Sequence, residues 1–204
     1  MVLLDMKVLT FLVFFTVCYL IYKYIYDGTV SVKSNLDNNY YNVRNGPDKQ
    51  LKADLLALIY LKLKLLVKTL SNDPVYNSSV PVKRLINNWE SVTIKEIGNM
   101  EGDAAYVINK KNMSFCLQKS SNNVNLAELN LMGYVAIHEL AHVMSNEVGH
   151  GAEFVKNFEF LLDYSKEINY YDPLLQRELP LFIPLKELET KESYCGVSLK
   201  NSIT

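Results

Sequence analysis

Hydrophobic and polar positions along the chain divide it into recognisable periods. From Val8 to Tyr22 fifteen successive residues carry no charge ("VLTFLVFFTVCYLIY"), and the run extends to Tyr26 broken only by Lys23. Nineteen residues at 1.5 Å each make roughly 28 Å, close to the ~30 Å of a bilayer's hydrocarbon. Lys23 can snorkel, and Tyr22, Tyr24 and Tyr26 suit a membrane interface. The helix is apolar on every face and lacks a basic start and an Ala-x-Ala-like step. Those features favour a membrane anchor over a signal peptide or a buried helix. Residues 1–26 are therefore expected to be a transmembrane segment held in a lipid bilayer through 8–26. Residues 27–46, rich in Asn, Ser, Asp and Tyr, read as a tether that stops at Gly46-Pro47.

Leucines at helical spacing then run from Asp48 to Leu70, with Pro47 suited to a first helical turn. Ser91–Ile97, Ala105–Asn109 and Met113–Gln118 read as short strands, and Lys110-Lys111-Asn112 as the hairpin turn between the last two. Asn125-x-x-Glu128 resembles a capping box opening a helix whose apolar positions continue through Met144. Another helix begins near Gly149–Ala152, with Phe154, Phe158 and Leu161/Leu162 on one face. Beyond it the pattern is weak. The expected domain is 47–190, with 191–204 as a tail.

Composition adds exclusions. A net charge of −1 over 204 residues gives no basic excess to favour nucleic acid. Three cysteines are too few for a disulfide framework. Cys116 and Cys195 read as two free thiols, with one bridge between them as the alternative.

The three histidines of the chain all fall in "HELAHVMSNEVGHGAEF", His138 to Phe154. His138-Glu139-Leu140-Ala141-His142 is H-E-x-x-H. Four residues apart on a helix, His138 and His142 share a face, and two imidazoles so placed can reach one Zn²⁺. Glu139 is too close behind His138 to share its metal, but it can take a proton from an attacking water. Ser145-Asn146 and Gly149 let the helix end and the chain turn. His150 can then supply the third ligand, with Glu153 and Glu147 as rivals. Three protein ligands leave an open position, the mark of a catalytic site. Asn146, Glu153 and Asp163 are candidates to orient the ligands. Tyr134, Tyr164, Tyr170, Tyr171 and Tyr194 are candidates to steady an oxyanion, although packing explains each of them as well. Cys195 could act as a switch ligand, and Trp89 reads as a core anchor.

On His138, Glu139, His142, His150 and Phe154 the chain resembles the WLM and SprT-like zincin metalloproteases. Their pattern is H-E-x-x-H, a short insert, then His followed by an aromatic. Within that group it is similar to uncharacterised WLM-like proteins encoded by large DNA viruses. The stretches "RNGPDKQ" (Arg44 to Gln50), "VINKKNMSFCLQ" and "YCG" (Tyr194 to Gly196) carry that likeness, which spans roughly Tyr41 to Gly196. The resemblance implies an α+β zincin-like domain, here expected behind an N-terminal transmembrane helix. That domain would have a small antiparallel sheet packed on helices, one catalytic zinc and a protein or peptide substrate. The expected protein is a single-pass membrane metalloprotease with Glu139 as general base. A non-catalytic membrane or virion scaffold is the alternative. A DNA–protein crosslink protease is a further one, although the chain has neither basic tail nor zinc ribbon.

Overall fold

The computed structural model describes residues 6–98, 105–117, 126–174, 176–181, 193–194 and 197–198. Helix α1 (Met6–Asp27) precedes a hairpin of β1 (Thr29–Lys33) and β2 (Tyr40–Arg44). Helices α2 (Lys49–Asn72) and α3 (Val80–Trp89) follow, then β3 (Thr93–Glu96), β4 (Ala105–Ile108) and β5 (Asn112–Phe115). The long helices α4 (Leu126–Met144) and α5 (Ala152–Lys166) come next. Two antiparallel pairs close the series, β6 (Asn169–Asp172) with β7 (Arg177–Pro180), and β8 (Ser193–Tyr194) with β9 (Val197–Ser198).

Helix α2 sits at the centre, as its leucine spacing predicts. All eight residues 52–59 are buried, Leu56 and Ala57 completely. Of the three buried charges on that helix, Lys52, Asp54 and Lys62, the first two have close polar partners. Lys52 lies 3.1 Å from Glu96 at the end of β3. Asp54 accepts from Ser34 Oγ at 2.8 Å and from the Asn35 backbone N–H at 2.7 Å. The "RNGPDKQ" stretch acts as a clamp in this region. The Arg44 guanidinium donates to the Ile97 carbonyl at 2.7 Å, and the Arg44 N–H donates to Glu96 Oε2 at 2.6 Å. Gln50 donates to the Lys33 carbonyl at 3.0 Å. Hairpin, helix and sheet are thereby tied together. Breaking a buried pair such as Lys52–Glu96 costs about 3–5 kcal/mol, because the surviving charge stays buried.

Three expectations are corrected. Residues 27–46 are no mere tether, since most of them form the β1–β2 hairpin. Tyr41 and Val43 alternate inward and bury in the core, while Tyr40 and Asn42 face outward. The small sheet is mixed rather than antiparallel. Its order is β3-β5-β4, with β3 parallel to β5 and β4 antiparallel to it.

The third correction concerns the membrane. Among the described residues no helix is long and apolar enough to cross one. The uncharged run Val8–Tyr22 is fifteen residues, roughly 22 Å, short of the ~30 Å of hydrocarbon, and the longer count to Tyr26 includes the charge of Lys23. The expected transmembrane helix, the bilayer grip through 8–26 and the single-pass membrane location are therefore withdrawn. What stands, among the described residues, is an α+β arrangement of five helices and small sheets. One further reading changes: Cys116 is disulfide-bonded and Cys18 is free, so Cys116 is not a free thiol. Cys195 lies outside the described residues.

Candidate metal centre

Helix α4 is enclosed by α2, α3, α5 and β4. From Leu131 to Met144 only Gly133, His138 and His142 escape full burial. The hydrophobic positions of the helix lie on every other face, so packing forces the two histidines onto the one stripe that meets the surface.

The helix ends as the sequence suggests. Ser145 turns back, its N–H and its Oγ both donating to the Ala141 carbonyl, at 2.9 and 2.7 Å. Asn157 Nδ2 donates to Ser145 Oγ at 2.9 Å in a buried contact. Gly149 has φ +85, a conformation that side chains disfavour. Gly151 is the N-cap residue of α5, and a Cβ there would meet Glu147 Oε2 at 2.0 Å. These two glycines let the chain fold His150 back over the helix.

The result is a triangle of imidazoles. Ring centroids of His138, His142 and His150 are 5.0 Å apart on all three sides. Their candidate ligand nitrogens lie within 4.8 Å of one another, so the cluster can hold a metal ion. Phe154, only 1% exposed, forms the floor. Its centroid is 4.3 Å from that of His142, 4.7 Å from His150 and 4.9 Å from His138. Phe158 stacks beneath Phe154 at 5.8 Å.

Burial pushes the His142 imidazole down to about 3, and the neighbouring His138, His150 and Lys110 add to the effect. His150 is lowered too, by burial and then by His138, with Glu139 opposing. Both rings are therefore neutral near pH 7, the form that binds metal.

Glu139 is buried beside the triangle. Its Oε1 lies 3.2 Å from His138 Nδ1. Its Oε2 is buried with no hydrogen-bond partner. An orphaned carboxylate oxygen next to three converging imidazoles is what a divalent ion with its water would satisfy. The donor set thus fits a metal on both counts.

The rival third ligands have other work. Glu153 Oε1 accepts from Arg84 Nη1 at 2.6 Å, and its Oε2 accepts from the N–H groups of Asn146 and Glu147 at 3.0 and 3.4 Å. That engagement holds its carboxyl below the usual range. Glu147 lies against Gly151. Asp163, expected only as a candidate to orient a ligand, pairs with Lys166 at 2.6 Å. None of these contacts reaches an imidazole.

Above the triangle opens a cleft of about 650 Å³, walled by β4 with Asn109 and Lys110 on one side and by Val148 and Gly149 on the other. Strand β4 is the edge of its sheet, and β5 is central. Of the tyrosines expected near an oxyanion, the four with described side chains do not line the cleft. Tyr134 is buried on Phe158, Tyr164 donates to Asp73 and Tyr170 donates to Asp172. Tyr171 is exposed on β6, and nothing is described of the Tyr194 side chain. Tyr106, Lys110 and Val148 line the cleft instead. Sequence reasoning missed all three, because only the folded structure brings the β4–β5 hairpin and the loop after α4 against the histidines. An apolar cavity of about 20 Å³ between α2 and α4, near Gly133, lies away from the histidines.

No family model matches the chain, and no solved structure does. Curated relatives do exist. The chain is 31% identical over 143 residues to "Uncharacterized protein R325" of Acanthamoeba polyphaga mimivirus, covering 69% of this chain and 72% of that one. It is 37% identical over 78 residues to "Uncharacterized protein 136R" of Invertebrate iridescent virus 6, covering 38% of this chain and 44% of that one. A relative in Invertebrate iridescent virus 3, "Uncharacterized protein 042R", is 34% identical over 74 residues, 36% of this chain and 46% of its own. The chain belongs to the family of large-DNA-virus proteins that includes the mimivirus relative.

Proposed function

We propose that the chain is a zinc-dependent metallopeptidase. One observation carries the reading: beside three converging imidazoles lies the buried Glu139 carboxylate, with Oε1 3.2 Å from His138 Nδ1 and Oε2 without a partner. A scaffold that merely held a metal would need the histidines but would gain nothing from burying an unsatisfied carboxylate, which costs stability. The resemblance of 138–154 to WLM and SprT-like zincins supports the same reading.

In this account His138, His142 and His150 hold the ion. Zinc, when bound, supplies Lewis acidity to a scissile carbonyl and its attacking water. Glu139 takes the proton from that water and passes it to the leaving amine. Its burial at 3% exposure keeps bulk water from competing for the carboxylate. The substrate is an extended polypeptide. Edge strand β4 borders the cleft along its whole length and can offer backbone groups to such a segment by strand addition. The near-neutral charge offers no support for a DNA-linked substrate.

Purified protein should carry about one zinc per chain. It should cleave unfolded polypeptides, lose that activity to a chelator and regain it with added zinc. Full zinc content with no hydrolysis across varied unfolded substrates would favour a metal-holding scaffold instead.

A further inference from the structure

We infer that Lys110 is a positioning residue for the metal centre, because its one ammonium ties the cleft strand to the two backbone points that bracket the approach to the third histidine. The inference rests on the metal-binding reading above. Lys110 Nζ donates to the His142 carbonyl at 2.8 Å and to the Glu147 carbonyl at 2.8 Å. The first is the backbone of a proposed ligand in the last turn of α4. The second lies in the loop that leads through Gly149 to His150.

The neighbouring carbonyls are taken differently. Asn88 Nδ2 donates to the Val143 carbonyl at 3.0 Å, and Arg84 Nη1 to the Met144 carbonyl at 2.9 Å. Both come from α3 and end the helix as ordinary C-terminal partners. Of these three donors, Lys110 alone comes from the sheet that walls the cleft, and it alone reaches past the helix into the His150 loop. It therefore fixes three things with one group: strand β4, the end of the H-E-x-x-H helix and the third-ligand loop.

The backbone supports this assignment. Asn109 and Lys110 have φ of 54 and 60, two left-handed residues in succession. Asn tolerates that conformation and Lys does not favour it. A turn serving only to reverse the chain would be better made with Gly or Asn at 110. The turn is held in a disfavoured shape that delivers the ammonium to both carbonyls, and the cost is offset by two charge-assisted hydrogen bonds.

Lys110→Asn tests the inference, since Asn keeps the turn while removing the ammonium. The metal-free variant should melt close to wild type. Its zinc affinity, measured by competition with a chromogenic chelator, should fall about 10–100-fold, the range for losing an outer support of a ligand. Its Co²⁺ absorption spectrum should change in shape. Amide hydrogen exchange at 145–150 should accelerate in metal-free protein. Adding His150→Ala to Lys110→Asn should cost less affinity than His150→Ala costs alone, because both act through one ligand. Lys110→Gln, which keeps an amide donor, should fall between and carries the test if the Asn variant does not fold. Wild-type affinity and exchange in both variants would overturn the inference, as would full additivity with His150→Ala. A wild-type protein that takes up no zinc would instead contradict the metal reading. The exchange comparison would then decide on Lys110 alone.

Discussion

Phe154 lies nearly parallel to His142, with ring centroids 4.3 Å apart and planes 30° from parallel, and the same ring touches His138 and His150. One aromatic side chain, four residues after the third histidine, sets the height and tilt of all three imidazoles. Its apolar face also excludes water from behind them. Phe154→Ala should cost about 3–5 kcal/mol of stability through the cavity it opens. Chemical denaturation of metal-free protein measures this. Phe154→Leu should keep the fold at a smaller cost yet still weaken zinc, because a branched aliphatic group cannot back three rings at once. A Phe154→Leu variant with unchanged zinc affinity would mean that the floor is only packing.

Glu153 and His150 separate cleanly by experiment. Glu153 spends both carboxylate oxygens on Arg84 and the loop backbone, so Glu153→Gln should loosen the loop and lower the melting temperature while leaving zinc stoichiometric. His150→Ala should fold and lose most of its zinc affinity. Elemental analysis of both variants decides the matter, and the reverse ranking would make Glu153 the third ligand.

Lys62 provides a pH test remote from the site. It is buried on α2, its ammonium sits 4.5 Å from the Tyr170 ring centre, and burial pushes its pKa down to about 8 although Asp172 opposes. The unfolded chain holds that proton up to about 10.4. Between these values the unfolded state binds more protons than the folded one, so stability rises as pH rises from 8 towards 10. The slope should approach about 1.4 kcal/mol per pH unit. Above 10 the buried Tyr41 and the half-buried Tyr170, whose raised values favour the protonated folded form, reverse the trend. Urea denaturation at stepped pH should show the rise in wild type and a flatter profile in Lys62→Met.

The site was legible in the sequence to an unusual degree because its chemistry is local. His138 and His142 need only helical spacing to converge, and His150 needs only the flexible Gly149. Phe154 was visible through the same short motif, although its role as a floor under all three rings was not. Features that depend on distant pairing were hidden. The β1–β2 hairpin places just Tyr41 and Val43 of β2 fully in the core, too few alternations to stand out among asparagines. Helix α3 buries only Val82 and Leu85 completely, so its period was faint, yet it supplies the Arg84 and Asn88 that end α4. The turn Asn109–Lys111 was expected one residue later, since the left-handed preference of Asn109 was outweighed by the look of two lysines. The membrane reading failed for another reason. The nineteen-residue count reached bilayer length only by including the charged Lys23, and the uncharged run alone is fifteen residues.

Glu139→Gln tests the central claim most directly, because it keeps the side chain's size and its place on α4 while removing the carboxylate. Glu139 is not a proposed ligand, so zinc content and melting temperature should match wild type. Hydrolysis of unfolded polypeptide should fall by about 10²–10⁴-fold, the usual loss for a general base. Zinc-loaded wild-type protein that cleaves no faster than Glu139→Gln would contradict the account.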